Sequence, residues 1–189
     1  MIISQIAIEN ETTVRNLLSA FEGESNAHAK YADFARKADA EGLHGAAGLF
    51  RAVARAELIH ANNHARVIRH LGGEPRATIH PVHPKSTLEN LNEARVGERY
   101  EIESMYPEFL REAKGHNNAA AILTLEWALE AEKTHARLFS EAIAMLESGW
   151  LIAARNFYVC TACGYTSETP EGARCPVCNL LWEKFDVIS

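Results

Sequence analysis

Cysteine is missing from this 189-residue chain until position 160, and all four fall between positions 160 and 178. That confinement excludes a scattered disulfide framework. No apolar run approaches the ~18 residues a membrane span needs. Basic charge is scarce as well: 19 Lys and Arg against 25 Asp and Glu leave a net charge of −6, with no electrostatic footprint for nucleic acid or an anionic membrane surface. The first residues, Met1-Ile2-Ile3-Ser4-Gln5, lack the basic stretch of a secretory leader. These absences predict a soluble protein of the reducing cytoplasm, with neither nucleic acid nor membrane as partner. What is present is apolar residue, 47% of the chain, enough for one full core and a small second unit.

Two Glu-x-x-His motifs organise the rest: Glu57-Leu58-Ile59-His60 and Glu132-Lys133-Thr134-His135. Positions i and i+3 share a helix face, so each motif aims a carboxylate and an imidazole the same way. Each is preceded by another glutamate, and Glu24 stands before Glu57 at nearly the spacing at which Glu98 stands before Glu132. The halves superpose: Glu57 and His60 map onto Glu132 and His135 with one common offset, and Glu24 maps onto Glu98 with an offset one position shorter. This is the pattern of a duplicated helix hairpin, each copy giving half of a dinuclear metal site, as in ferritin-like di-iron bundles.

Periodicity predicts four helices. The first, over 11–40, carries a stripe of Leu17, Phe21, Glu24, His28, Tyr31 and Ala35, with Asn10 or Thr12 as its cap. The second, over 44–71, carries Phe50, Val53, Glu57, His60, His64 and Val67, and stops at Gly72-Gly73. Three prolines in 72–86 make an extended crossover that leaves helices two and three roughly parallel. Ser86-Thr87-Leu88-Glu89 fits a capping box for the third helix, which lines up Leu91, Ala94, Glu98, Glu101 and Met105. Pro107 should kink it. The fourth helix, about 118–148, runs through Ile122, Leu125, Leu129, Glu132, His135 and Phe139. The division expected is a helical bundle over 1–150 and a small unit over 151–189.

That small unit holds Cys160-Thr161-Ala162-Cys163-Gly164-Tyr165 and Cys175-Pro176-Val177-Cys178. Two Cys-x-x-Cys pairs form one four-thiolate metal site in a module too small to hold a core without its ion. Spacing alone fits zinc as well as iron. Fusion to a site that consumes electrons favours iron, with zinc as a possible substitute.

The inward faces gather Glu24, Glu57, Glu98, Glu101, Glu132, His60 and His135. Five carboxylates in a dry bundle would each cost on the order of several kcal/mol, with mutual repulsion added. Two divalent cations relieve this best, and oxygen- and imidazole-rich ligation points to iron or manganese. Glu57 and Glu132 should bridge, since the Glu of each motif projects between the ions. Glu24 and Glu98 are then terminal, with one histidine per metal. Glu101 has Ala27 as its counterpart in the first half, so it is a ligand beyond the symmetric set. His28 and His64 read as core histidines making ordinary hydrogen bonds, with proton donation as the alternative. Tyr31 and Tyr106 are candidates for orienting carboxylates by hydrogen bonds.

These residues resemble the rubrerythrin family. The resemblance rests on Phe21-Glu22-Gly23-Glu24-Ser25-Asn26-Ala27, Glu57-x-x-His60, Gly97-Glu98-Arg99-Tyr100-Glu101 followed by Met105-Tyr106-Pro107, Glu132-x-x-His135 and the rubredoxin-like cysteine pairs, spanning about 11–186. It implies a mainly α, ferritin-like four-helix bundle with a C-terminal rubredoxin-like four-cysteine module. It further implies a non-haem di-iron peroxidase of oxidative-stress defence, reducing hydrogen peroxide to water. Electrons would come from reduced pyridine nucleotide through carriers such as a rubredoxin or its reductase, and then through the four-cysteine iron. The family's iron movement between His and the extra Glu would map to His60 and Glu101. Ferroxidase or iron storage, and dioxygen reduction by a di-iron oxidase, are the rival activities on the same bundle. From His135 to Gly149 the fourth helix covers about 21 Å at ~1.5 Å per residue, which places the cysteines far from their own carboxylates unless the chain folds back. A head-to-tail homodimer, or a higher homo-oligomer, with transfer between subunits is therefore expected.

Overall fold

In the computed structural model, which describes residues 2–170 and 172–189, helix α1 spans Ile2–Ala40 and so starts upstream of the predicted cap. Gly42, at φ 76°, reverses the chain, and Leu43 N–H donates to the Ala38 carbonyl at 2.9 Å. Helix α2 (His44–His70) returns antiparallel to α1. His28 meets the Ala54 carbonyl at 2.7 Å, and the rings of Tyr31 and Phe50 lie 6.2 Å apart.

The crossover retraces α1 from end to end. Thr78 N–H donates to the Glu22 carboxylate, His80 N–H to Asn26, and at the far end Thr87 N–H to Glu41, each at 2.9–3.0 Å. Helix α3 (Thr87–Tyr100) therefore starts where α2 started, and the two run parallel as predicted. Ser86 and Glu89 form the expected capping box.

The third rod does not simply kink at Pro107. Residues Glu101–Met105 make a turn of π-helix, in which Tyr106 N–H reaches back to the Glu101 carbonyl. Pro107 then sits in the first turn of α4 (Tyr106–Gly115), where its missing N–H costs nothing. One π turn plus one α turn takes about eight residues instead of seven. Glu98 and Tyr106 consequently face the same way. The duplication records this as a slip: the offset from Tyr31 to Tyr106 is one position longer than that from Glu24 to Glu98. The π turn is that added residue.

Helix α5 (Ala119–Glu147), capped by Asn118, completes four rods. Apolar side chains fill the bundle in two layers. Phe34, Phe50, Phe139 and Leu91 pack at one end; Leu17, Ile68, Leu110 and Leu125 pack at the other. Between them lies a buried polar stratum: Glu24, Glu57, His60, Glu98, Glu132 and His135, none more than 1% exposed.

Beyond α5 the chain turns back, contrary to the expectation that the cysteines lie far from their own carboxylates. The backbone of Ile152 passes so close to Gly45 that a Cβ there would stand 2.2 Å from the Ile152 carbonyl oxygen. Phe157 and Val159, fully buried, join the core of the bundle itself. Burying one such aromatic contributes about 1.5–3 kcal/mol, which helps to hold the return path. A three-stranded antiparallel sheet of order β2-β1-β3 follows, from β1 (Phe157–Cys160), β2 (Thr166–Ser167) and β3 (Phe185–Ile188). It lies along α2, fastened by Arg55 to Asp186 at 2.7 Å, Arg51 to the Ser189 carbonyl at 2.6 Å and Asn63 to the Ala162 carbonyl at 2.7 Å. Among the described residues, no helix is long and apolar enough to cross a membrane.

Candidate metal centres

Two overlapping sets of side chains converge in the polar stratum. Glu24, Glu57, His60 and Glu132 bring one ligand atom each within 4.8 Å of one another, and so do Glu57, Glu98, Glu132 and His135. Glu57 and Glu132 belong to both sets. The Nδ1 atom of His60 lies 2.8 Å from Glu132 and 3.0 Å from Glu57, and that of His135 lies 2.6 Å from Glu132 and 3.4 Å from Glu98.

The opposite edge of each ring fixes its tautomer. Nε2 of His60 lies 3.0 Å from the Cys163 carbonyl, and Nε2 of His135 lies 3.4 Å from the Gly164 carbonyl and 3.1 Å from the Thr166 hydroxyl. A carbonyl only accepts, so Nε2 carries the proton in both rings. A neutral ring then presents a bare Nδ1 lone pair to carboxylate oxygens, acceptor against acceptor, unless a proton or a metal cation lies between them. Metal-binding histidines are held in this way by their outer hydrogen bond. A second sign is that one oxygen on each of Glu24, Glu57, Glu98 and Glu132 is buried without a hydrogen bond among the described residues. Oxygen-rich ligation with one imidazole per position suits a pair of iron ions.

Without cations the electrostatics are strained. Burial first, and neighbouring carboxylates second, push Glu24 and Glu132 well above the usual carboxylate range and Glu57 to about 8. Burial acts upward on Glu98 too, but the His135 ring outweighs it and its pKa falls. Burial opposes protonation of His60 and His135, yet the carboxylates around them raise both. Tyr31 donates to Glu98 at 2.5 Å, and Tyr106 donates to Glu24. Burial and adjacent carboxylates hold both phenols well above their ordinary pKa, so they remain donors.

The four cysteines also converge, with Sγ of Cys160 and Cys178 3.4 Å apart and Sγ of Cys163 and Cys175 3.5 Å apart. A tetrahedral ion with ~2.3 Å bonds to sulfur needs edges of about 3.8 Å, so the knuckles are nearly in place for a four-thiolate metal.

The other sequence candidates land differently. Glu101 belongs to neither ligand set; the π turn leaves it half-buried on a cavity of about 430 Å³ shared with Lys30, Tyr31, His80 and Gly97. Burial, then Glu24, Glu98 and Glu57, raise its pKa well above normal, so it lies within electrostatic reach of the centre. His28 turns to the Ala54 carbonyl, an ordinary structural hydrogen bond. His64 is wholly buried beside Tyr106. The sequence reading misses Thr124, Thr166 and the carbonyls of Cys163 and Gly164. A backbone carbonyl leaves no residue-type signal; the glycine after Cys163 is the one available hint.

Known proteins share this architecture. The rubrerythrin family model matches residues 15–143. Rubrerythrin-2 of Clostridium acetobutylicum is 34% identical over 181 residues, covering 95% of this chain and 98% of its own. Nigerythrin of Nitratidesulfovibrio vulgaris is 34% identical over 168 residues, covering 88% of this chain and 82% of its own. A solved structure of nigerythrin in its fully reduced, all-ferrous state superposes with a TM-score of 0.85 at 33% identity, over 93% of this chain and 86% of that one. A Desulfovibrio desulfuricans bacterioferritin shares the fold, with a TM-score of 0.72 at 21% identity, over 76% of this chain and 84% of that one. With the ligand sets, the four-cysteine site and these similarities together, the chain belongs to the rubrerythrin family, as a ferritin-like di-iron oxidoreductase with a rubredoxin-like module.

Proposed function

We propose that this protein is a peroxidase that reduces hydrogen peroxide to two molecules of water, consuming two electrons and two protons. The observation that carries the reading is the pair of Nε2–H hydrogen bonds from His60 and His135 to the backbone of the first cysteine knuckle. A site that only stored iron would have no use for a second metal centre docked on its ligands. Bound iron would supply the two electrons at the carboxylate pair and one-electron relay at the cysteines. Glu57 and Glu132 would bridge, with Glu24 and His60 terminal at one ion and Glu98 and His135 at the other. Glu101, facing the open cavity, would be a further carboxylate available, alongside His60, to hold the iron on that side. Tyr31 and Tyr106 would hold their carboxylates in place and donate hydrogen bonds throughout. The cavity beside Glu101 gives a small oxidant its access. Reduced pyridine nucleotide, through a rubredoxin or its reductase, would be the electron source. The bundle would occupy 1–150, the rubredoxin-like domain 151–189, and the site of action would be the cytoplasm.

Stoichiometry and oxidant preference test this. The purified chain should bind two irons in the bundle and one at the cysteines, the latter with strong visible absorption when ferric. The reduced protein should be reoxidised faster by hydrogen peroxide than by dioxygen. Faster reaction with dioxygen would favour the oxidase, and many irons per chain would favour storage.

The return of the sheet along α2 also changes the proposed electron route. A homodimer is no longer needed to bring the two centres together, since the knuckle already touches His60 and His135 of its own chain. Mixing Cys160→Ser chains with Glu57→Ala chains should therefore leave turnover at the background of either variant alone. Recovery of activity in the mixture would instead establish transfer between subunits.

A further inference from the structure

The two halves of the di-iron centre are related by duplication, yet their tyrosines rest on different neighbours. With the offset that relates Glu57 to Glu132, Tyr31 corresponds to Tyr106, Phe139 to His64 and Leu49 to Thr124. On the Glu98 side the two corresponding places are apolar: Phe139 stands edge-on to Tyr31 with ring centroids 5.6 Å apart, and Leu49 is 2% exposed. On the Glu24 side the same places hold a hydrogen-bonded line. Thr124 Oγ1 lies 3.0 Å from His64 Nδ1, His64 Nε2 lies 3.2 Å from Tyr106 Oη, and Tyr106 donates to Glu24.

The proton directions follow in order. Tyr106 has one hydroxyl proton, and it is committed to Glu24. Its oxygen must therefore accept from His64, so His64 carries its proton on Nε2. Nδ1 is then bare and accepts from the Thr124 hydroxyl. All three donors point toward Glu24. His64 is completely buried, and its pKa is driven down to about 3 by that burial and by His60, so the ring stays neutral.

We infer that His64 is a positioning residue of the di-iron centre: through its Nε2–H bond it fixes the Tyr106 hydroxyl on Glu24, giving one metal position a hydrogen-bonded support that the other lacks. The assignment rests on the di-iron peroxidase reading for its effect on turnover, but its effect on the ligand Glu24 does not require that reading.

The test uses full-length His64→Phe, which copies the opposite half of the bundle, His64→Gln, which keeps a donor near the Nε2 position, and Thr124→Val, which keeps volume but frees the ring tautomer. Anaerobic Fe(II) titration by calorimetry reads the carboxylate site without turnover, and stopped-flow reoxidation by hydrogen peroxide reads activity. His64→Phe should weaken Fe(II) binding and slow reoxidation by about 10- to 100-fold, the usual effect of losing an outer partner of a metal ligand. Thr124→Val should lie between it and the parent, and His64→Gln should return to within about threefold of the parent. Parent-like behaviour of His64→Phe would overturn the inference. Equal losses in the Phe and Gln variants, which would mean that packing alone matters, would overturn it as well. A parent that binds iron and shows this ranking of affinities yet ignores peroxide would uphold the role of His64 and reject the peroxidase.

Discussion

Stripped of divalent ions, the protein is expected to become less stable as the pH rises from about 4.5 toward 8. The sign follows from the buried carboxylates. Glu24, Glu57, Glu101 and Glu132 have folded-state pKa values raised above the ordinary value of 4.5. Each therefore contributes stability that is fully present below the unfolded pKa and lost as the pH rises through the folded one. The raised pKa values of His60 and His135 act in the same direction from 6.5 upward. Glu98, whose pKa is lowered, acts oppositely, adding stability above 4.5 and losing it in acid. Four raised carboxylates and two raised imidazoles outweigh the lowered Glu98 and the lowered His64, whose neutral ring adds stability as the pH rises toward 6.5. The net loss should be on the order of a few kcal/mol, or roughly 5–10 °C in melting temperature for a chain of this size. Iron replaces those protons, so the loaded protein should show no such decline and should melt well above the stripped one at pH 8. Thermal unfolding across pH, with and without Fe(II), measures both. A stripped protein that gained stability through this range would mean that the carboxylates are solvated and need no ion.

Replacing Gly164 with alanine is expected to separate the two metal centres functionally without emptying either. Gly164 sits at φ 79°, and a Cβ there would stand 2.3 Å from Nε2 of His60. The ring is held by Glu57 on its other side and has no room to retreat. The knuckle must lift, and the bonds from His60 and His135 to the Cys163 and Gly164 carbonyls must lengthen or break. Peroxide-dependent oxidation of the reduced four-cysteine iron should then slow by at least about tenfold, in line with the loss of outer partners from metal ligands. The visible spectrum of that iron should survive. Backbone strain is controlled by Gly172→Ala, since Gly172 has nearly the same φ, 75°, and nothing within 4 Å of the added carbon. Equal effects in the two variants would assign the loss to the strained backbone and remove the role given to the contact with His60.

Much of this is legible in the residues, for identifiable reasons. Glu57, His60, Glu132 and His135 announce themselves because charged residues in the middle of apolar stripes need a partner, and a duplicated spacing makes chance a poor explanation. The capping box at Ser86 and the proline-rich crossover are local signals, readable because local chemistry decides them. Glu101 heads the π turn and faces the cavity rather than the two ligand sets, and a regular helical period gives no sign of that turn. The clue lies in the duplication, where the offset grows by one position between the Glu24–Glu98 pair and the Tyr31–Tyr106 pair. The return of the cysteine module escapes sequence reasoning because it depends on Phe157 and Val159 finding the bundle core and on Gly45 letting the backbone of Ile152 approach. Such long-range fits have no period.

The π turn has one more consequence. A rod with a surplus residue at mid-length is overlong as well as misaligned, and removing any one of Ile102, Glu103 or Ser104 would restore the α-helical count across the turn while setting Pro107 inside a helix. That repair would draw α4 back by about 1.5 Å and rotate it by roughly 100°, like a screw turned through a quarter-thread. Tyr106 would swing away from Glu24, so the regular count would come at the expense of the metal site.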